Sequence, residues 1–451
     1  MSGNKKSGAR ETIIVIGAGI VGVSTAYFTA KRISEEYGDS SERPRVVLVE
    51  QSEAGSSASG KSGGFLARQW SDGTDTEQLA QFGYDLHARL AAEFNGAEQW
   101  GYRALDTYCA EIDRIPVRQA KQHKASNQRT DAEAAVTSIE VIAPRTHRVS
   151  PAATAQLRRT DGADGEDDDA QQLSTHASIP VPDVSAVKAV APDTVPWLHT
   201  GVITKLHQVG STATTAQVDP LKLVRVLLAE AKACGLETVR AKVIDICETG
   251  HRPPFIEIPV DKGRCNSGSP PDLLSMSGLS VAGREGGPNA TRTDKPYIVL
   301  LDQGTDVPAD KIVAACGAWA TSCLRWEAFR DVSASQIPIQ GLRVHYLLAR
   351  PKTPLPAQAI FAEINGTVYS GEDAIEIYPR PDGSVFVCGE ALDDPEMPPH
   401  NPFEPVYSKR ATARLKQIVS DVSPALSFDV IQYGLACHLP VHARGIPVIS
   451  K

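Results

Sequence analysis

A short β-branched strand, a GAGIVG turn, a helix of 3.6-residue period and a second β-branched strand ending on an acid predict an α/β fold with a Rossmann-like unit. Later strands with hairpin signals predict that an antiparallel-sheet α+β unit interleaves with it. The 451 residues suffice for two to three domains and a sizeable core. With 41% hydrophobic and 22% charged residues, the composition is that of a globular chain, not a wholly disordered, collagenous or membrane-embedded one.

The elements follow in order. Thr12 to Ile16 reads as a buried strand, and Ile20, Val23, Tyr27, Ala30 and Ile33 carry helical spacing. Arg45 to Val49 is a second strand ending at Glu50, which completes a βαβ unit. Thr74-x-x-Glu77 reads as a capping box, and Leu79, Phe82, Leu86, Leu90 and Phe94 as one apolar helix face stopped by Asn95-Gly96. Asp219-Pro220 supplies an N-cap and a Pro at the first helical position, with Leu221, Val224, Leu228 and Ala231 as the buried stripe and Gly235 as the stop. Strands are expected at Thr238 to Cys247, Tyr297 to Leu301 and Lys311 to Ala315. A hairpin is expected where Ile375 to Tyr378 and Val385 to Cys388 flank Pro381-Asp382-Gly383.

Two stretches break this pattern. Residues from Gln119 to Val187 are poor in aromatics and include the acidic run Asp161 to Asp169, too little apolar area to offset the entropy of ordering. A short ordered piece is expected within it at Ser138 to Ala143. Arg264 to Lys295 is rich in Gly, Ser and Pro and reads as a second floppy loop. No internal repeat is evident.

Charge and cysteine usage exclude several classes. The net charge is −8, with no Lys/Arg-rich tract, so nucleic acid is not an expected partner. The 8 cysteines never form CxxC, which disfavours a disulfide framework and a metal site and fits a reducing compartment. The basic MSGNKKSGAR before Ile13 does not read as a secretory signal, because glycines interrupt the apolar run and no small-residue cleavage site follows. No stretch is long and apolar enough to span a bilayer. Asn289-Ala-Thr and Asn365-Gly-Thr match the glycosylation pattern, but chance produces such tripeptides often.

The glycines point to a dinucleotide. Gly17 permits a tight turn after the strand, Gly19 lets backbone approach a pyrophosphate, and Gly22 lets the helix lie against the sheet, so phosphates would meet Ile20 and Val21 at the positive end of the helix dipole. Glu50, followed by Gln51, would accept a hydrogen bond from a ribose hydroxyl. An acid there suits NAD as well as FAD. The small, hydroxyl-rich stretch Ser59, Gly60, Lys61, Ser62, Gly63 and Gly64 would let backbone approach a flat ring, and Phe65-Leu66-Ala67 returns the chain to a core.

GAGIVGVSTAYFTAKR, VVLVEQSEAGSSASGKSGGFLA, the Ala216-Gln-Val-Asp-Pro220 helix start and Val313-Ala-Ala-Cys-Gly-Ala-Trp319 resemble the D-amino-acid oxidase type of FAD-dependent oxidoreductase, with glycine oxidase and the sarcosine oxidases. The nearest likeness is to a fungal oxidoreductase branch associated with endosome-to-Golgi recycling. The resemblance covers most of the chain outside the two insertions, and its motifs specify FAD rather than a substrate. It implies FAD in a glutathione-reductase-type domain. There the pyrophosphate would lie at Gly17, Gly19 and Gly22, the adenosine ribose on Glu50, the flavin against Ser59 to Gly64, the adenine side near Val243, and Gly317 would close the site. Hydride transfer from a C–N bond of an amine or amino-acid-like substrate is the implied reaction.

The implied division is a flexible terminus at 1–10 and a first FAD-binding part at 11–118. A disordered acidic insertion follows at 119–187, then the end of a substrate-domain segment with a return to the FAD domain at 188–250. The remaining segments are a mostly flexible loop at 251–295, an FAD-domain segment at 296–330, the substrate-domain sheet at 331–400 and a return to the FAD domain at 401–451.

Three departures follow. The arginine that binds carboxylates in the amino-acid oxidases falls at Leu439, and an isobutyl group cannot replace a bidentate guanidinium. Arg343 and Arg380 are the candidates to stand in. Cys437 falls where some sarcosine-oxidase relatives attach flavin covalently, although a buried inert thiol accounts for it more simply. Relatives also continue past Gly445-Ile-Pro-Val-Ile449 into a strand and a Gly-rich helix start, so a truncated domain with weak FAD retention is expected for a chain stopping at Lys451. The expected location is cytoplasmic, peripheral to late endosomes, and an alternative function is that of a flavin-fold protein acting mainly in endosome-to-Golgi retrograde transport with little or no catalysis, the acidic insertion docking a trafficking protein.

Overall fold

Five aliphatic or β-branched residues in a row leave β1 (Thr12–Ile16) no polar face, and it takes a central place in a parallel sheet. Its neighbours are β12 (Lys311–Ala314) and β2 (Arg45–Glu50), with β8 (Glu237–Arg240) beyond β2. The computed structural model describes residues 10–113, 187–249, 294–333, 336–337, 339–365, 373–391, 407–426, 430–442 and 445–449. All belong to one contact unit, 1–114 with 175–451. A second unit, 115–174, lies outside the described residues. So do most of the two stretches read as insertions, including 138–143 and the acidic run 161–169.

Helix α1 (Ile20–Tyr37) connects β1 to β2 and buries Gly22, Val23, Ala26, Tyr27, Ala30 and Ile33, the face its spacing predicts. Helix α2 (Ala58–Lys61) is one turn long, and β3 (Phe65–Ala67) follows it. In α3 (Glu77–Glu93) the predicted capping box does not form. Thr76 precedes the helix, and Glu77 accepts from the Gly73 amide at 2.8 Å. The predicted apolar face is also only half used. Leu90 is buried, with Leu86 and Phe94 packed on the same core, whereas Leu79 and Phe82 are 53% and 58% exposed. The guanidinium of Arg89 lies 5.7 Å from the Phe82 ring centroid. After α4 (Gly96–Trp100), β4 (Arg103–Ala104) joins β3 and β7 (Thr215–Gln217) in a small sheet of order β3-β7-β4.

Helix α5 (Pro220–Ala233) begins as predicted, the Asp219 carboxylate accepting from the Lys222 amide at 3.1 Å. Its buried stripe is Leu223, Val224, Leu227 and Ala231. Leu221 and Leu228 are only partly buried, because the helix packs along α1 with its face turned by part of a turn. The single strand expected over Thr238 to Cys247 is two. The break at Ala241 and Lys242 lets β8 finish the parallel sheet while β9 (Val243–Glu248) pairs with β10 (Tyr297–Leu301), itself paired with β11 (Asp306–Ala309). Lys295, read as the end of a floppy loop, is instead anchored. Its buried ammonium donates to the Arg10 carbonyl and the Asp310 carboxylate, which also accepts from the Thr12 amide at 2.6 Å.

The second layer is a seven-stranded sheet. It comprises β5 (Asp106–Asp113), β6 (Ile203–Gly210), β13 (Ile339–Ala349), β14 (Gln358–Asn365), β15 (Asp373–Pro379), β16 (Val385–Ala391) and β17 (Val430–His442), in the order β17-β13-β16-β15-β14-β5-β6. The β15–β16 hairpin turns at Pro381-Asp382-Gly383 as predicted, with Gly383 at φ +81°. Two expected boundaries shift. The chain enters this sheet at Asp106, inside the segment assigned to the first unit. The described part of 401–451 supplies β17 and α6 (Lys409–Val422), which packs on β13 and β16, rather than returning to the parallel sheet. Both segments have two inward faces, since one side of the sheet meets α6 and the other meets the glycine loop, and a two-sided pattern does not reveal which sheet a strand joins.

Candidate functional site

The βαβ turn sets the first half of the site. Gly17 adopts φ +100° and its amide donates to the Val49 carbonyl at 2.8 Å, which draws the turn across the ends of β1 and β2. A Cβ on Gly17 would lie 2.5 Å from the Ala315 carbonyl oxygen, and one on Gly22 only 1.8 Å from the Gly17 carbonyl oxygen. Only bare backbone fits at these two positions. Gly19 precedes α1 and supplies no side-chain cap. The Ile20 amide donates to the Ser59 hydroxyl at 2.9 Å, and Val21 is exposed beside it, so the first-turn amides form an open positive helix end suited to phosphate.

Glu50 lies at the end of β2 where the turn needs it. One carboxylate oxygen accepts from the Ala18 amide at 2.7 Å and the other from the Ser52 amide at 3.0 Å and hydroxyl at 3.1 Å. Three donors fix its direction while lone pairs remain for a sugar hydroxyl. Gln51 follows it, partly buried. Cys316 sits nearby. A hydrogen bond with Cys323, burial and the charge of Glu50 push its thiol well up, so it stays protonated. Gly317, at φ +53° and exposed, starts a 3₁₀ turn there. Val243 is buried at the start of β9, in the core shared with the parallel sheet.

The glycine loop forms the second half. Gly60 packs on Leu221 of α5, and the carbonyl of Gly64, at φ +79°, accepts from the Val218 amide at 2.9 Å. A Cβ on Gly63 would fall 2.2 Å from Cε2 of Tyr378, so the loop backbone lies directly on that ring. Arg380 donates to the Ser62 carbonyl at 3.2 Å and stacks on Phe386 at 5.1 Å, and burial pulls its guanidinium below the ordinary value. Lys61 is likewise lowered by burial, with Cys437 near it. Burial pushes the Cys437 thiol up to about 11, with Lys61 opposing, so at neutral pH it is a thiol rather than a nucleophilic thiolate.

The two arginine candidates part company. Arg380 borders the glycine loop. Arg343 lies two residues from His345, which accepts from the Ser408 amide at the start of α6, and so shares the face of β13 turned away from the loop. It is not placed to stand in for a substrate arginine.

Sequence reasoning missed residues that the fold brings to the loop side of the sheet. Tyr346, Cys388, Glu376, Phe361 and Cys109 form one row across β13, β16, β15, β14 and β5. Glu376 is 8% exposed and accepts from the hydroxyl of Tyr378 at 2.5 Å and the thiol of Cys388 at 3.3 Å. Its alternation with Ile375 and Ile377 reads from sequence as a solvent-facing acid. Gln217 on β7 is 1% exposed, and neither its amide nitrogen nor its amide oxygen has a hydrogen-bond partner. Three residues of strand are too few to show a period, so nothing in the sequence marks it.

These features fit FAD, since the tight turn that bare backbone at Gly17 and Gly22 permits presents the start of α1 to a phosphate, and a buried unpaired amide lies beside the loop. The chain matches the family described as DAO, FAD dependent oxidoreductase, over residues 12–258 and 288–451. It belongs to that family, and its cofactor is FAD. Two yeast proteins named as oxidoreductases are similar. One, from Schizosaccharomyces pombe, is 23% identical over 97% of this chain and 85% of its own. The other, TDA3 of Saccharomyces cerevisiae, is 24% identical over 97% and 84%. Among solved structures, glycine oxidase from Geobacillus kaustophilus superposes with TM-score 0.56 at 16% identity, covering 98% of this chain and 85% of that one. An FAD-bound glycerophosphate oxidase from Mycoplasma pneumoniae gives 0.52 at 14%, covering 96% and 84%. These likenesses share the fold. Among the described residues no cluster of His, Cys, Asp and Glu could hold a metal ion, and no helix is long and apolar enough to cross a membrane.

Proposed function

We propose that this FAD-dependent oxidoreductase oxidises a C–N bond of a small amine or amino-acid-like compound. The observation that carries the reading is the glycine loop 59–64, held by Ser59 against the start of α1 at one end and lying on Tyr378 of the seven-stranded sheet at the other. A cofactor on that loop would have the βαβ turn at its phosphates and the sheet beside its reactive ring. Bound FAD would take the hydride of the C–H bond next to nitrogen, the nitrogen losing a proton as C=N forms and dioxygen later receiving both electrons.

This chain's residues supply the rest. Gly19, Val21 and Gly22 would present amides to the pyrophosphate on the turn that Gly17 and Ile20 shape through their bonds to Val49 and Ser59, and Glu50 would hold the ribose. The aromatic side chains on the sheet would exclude water from the reacting atoms. Positioning carries such a step more than a strong base does. Mixing the FAD-loaded chain with a panel of amines and amino acids without oxygen tests the reading. Loss of visible flavin absorbance with at least one of them is expected, and an oxidised spectrum unchanged by all would reject it.

A further inference from the structure

Resting on the reading just given, we infer that the site takes a cationic amine without a carboxylate, its ammonium received by Glu376. The resemblance to the amino-acid oxidases puts their carboxylate-binding arginine at Leu439, which lies on β17 opposite Leu342 of β13. No carboxylate-binding fork is placed there. The buried polar groups on the loop-facing side of the sheet have the opposite character. Glu376 stands in the middle of the five-strand row, and the ring of Tyr378, whose hydroxyl donates to it, lies against Gly63. Tyr378 thereby links the loop to one buried carboxylate on the same face of the sheet.

Around the acid the wall is aromatic. Phe65 stacks on Tyr378 at 5.7 Å and meets Trp70 and Phe361 at 4.9 and 5.1 Å, while Tyr346 stacks on Phe386 at 5.1 Å. A carboxylate among ring faces is the chemistry that recognises ammonium, through charge and the ring quadrupoles together. Gln217 completes it. Gln217 pairs with Phe65 across β3 and β7 and so shares the face that Phe65 turns toward Tyr378. A fully buried amide with both atoms unpaired costs stability, and a ligand that accepts from its nitrogen or donates to its oxygen removes that cost. The cations near the loop are already engaged, Arg380 with Ser62 and Phe386 and Lys61 beside Cys437.

Benzylammonium and benzoate, which share a ring and differ in charge, make the test. Titration calorimetry and flavin difference spectra on the FAD-loaded full chain should show benzylammonium binding and benzoate binding at least tenfold weaker. Glu376→Gln should weaken benzylammonium at least tenfold and leave benzoate unchanged or tighter. Gln217→Leu should raise the melting temperature of the ligand-free chain and yet weaken benzylammonium, a pairing that a purely structural glutamine would not give. Equal binding of benzylammonium by the native chain and Glu376→Gln, preference for benzoate, or binding of neither overturns the assignment. FAD affinity, measured alongside, should be the same in both variants. Failure of the native chain to bind FAD would strike the oxidase reading instead, while calorimetry on the flavin-free chain still judges the ammonium site.

Discussion

Glu50 shows how one side chain ties sequence to site. Its position at a strand end is readable from the β-branched run before it, but its three hydrogen bonds to Ala18 and Ser52 are products of the fold. Glu50→Gln keeps the size and puts an amide NH₂ against one of those donors. A hydrogen bond to a charged group contributes about 1.5–3 kcal/mol, so FAD affinity should fall roughly 10- to 100-fold while circular dichroism stays native. Fluorescence titration checks it. Glu376 and Gln217 mark the limit of such reading. A lone acid alternating with isoleucines looks solvent-facing, and only the glycine loop laid over that face reverses the inference.

Local signals fared unevenly among the elements, for physical reasons. Asp219 caps α5 as its sequence predicts, because a cap and the proline after it are decided within four residues. Asp219→Ala should cost about 1 kcal/mol in denaturant unfolding. At α3 the same reasoning picked Thr74, but the helix starts after Thr76, whose side chain makes no capping bond, and the hydroxyls of Thr74 and Thr76 bond each other while Glu77 takes the Gly73 amide. Leu79 and Phe82 continue the apolar period beyond the point where a core meets the helix. That helix also carries a pH prediction. His87 has a buried, unpaired Nδ1, and burial lowers its proton affinity below the ordinary 6.5. The unfolded chain binds a proton that the folded chain resists, so His87 costs nothing above about pH 6.5 and reduces stability progressively below it. Thermal melts between pH 7.5 and 5.0 should show a loss that His87→Gln lessens.

Across the whole molecule, the βαβ unit and its cofactor chemistry were legible because bare glycines at fixed spacing have few other uses. The assignment of strands to sheets was not. The β5 strand and β17 belong to the seven-stranded sheet although their surroundings in sequence suggest otherwise, because pairing partners lie far away along the chain. FAD would touch both layers, so its binding should stabilise them together. At a hundredfold excess over its dissociation constant the gain is about 2.7 kcal/mol, and one cooperative melt should move upward as FAD is added. The most direct test of the cradle itself is equilibrium titration of the native chain and Gly19→Val with FAD. Gly19 has an extended backbone that valine accepts, so the fold should survive while the added side chain obstructs the pyrophosphate. Saturable binding of one FAD per chain, unaffected by excess NAD and largely lost in Gly19→Val, is the predicted result. Binding equally strong in the variant, or none in the native chain, would contradict it.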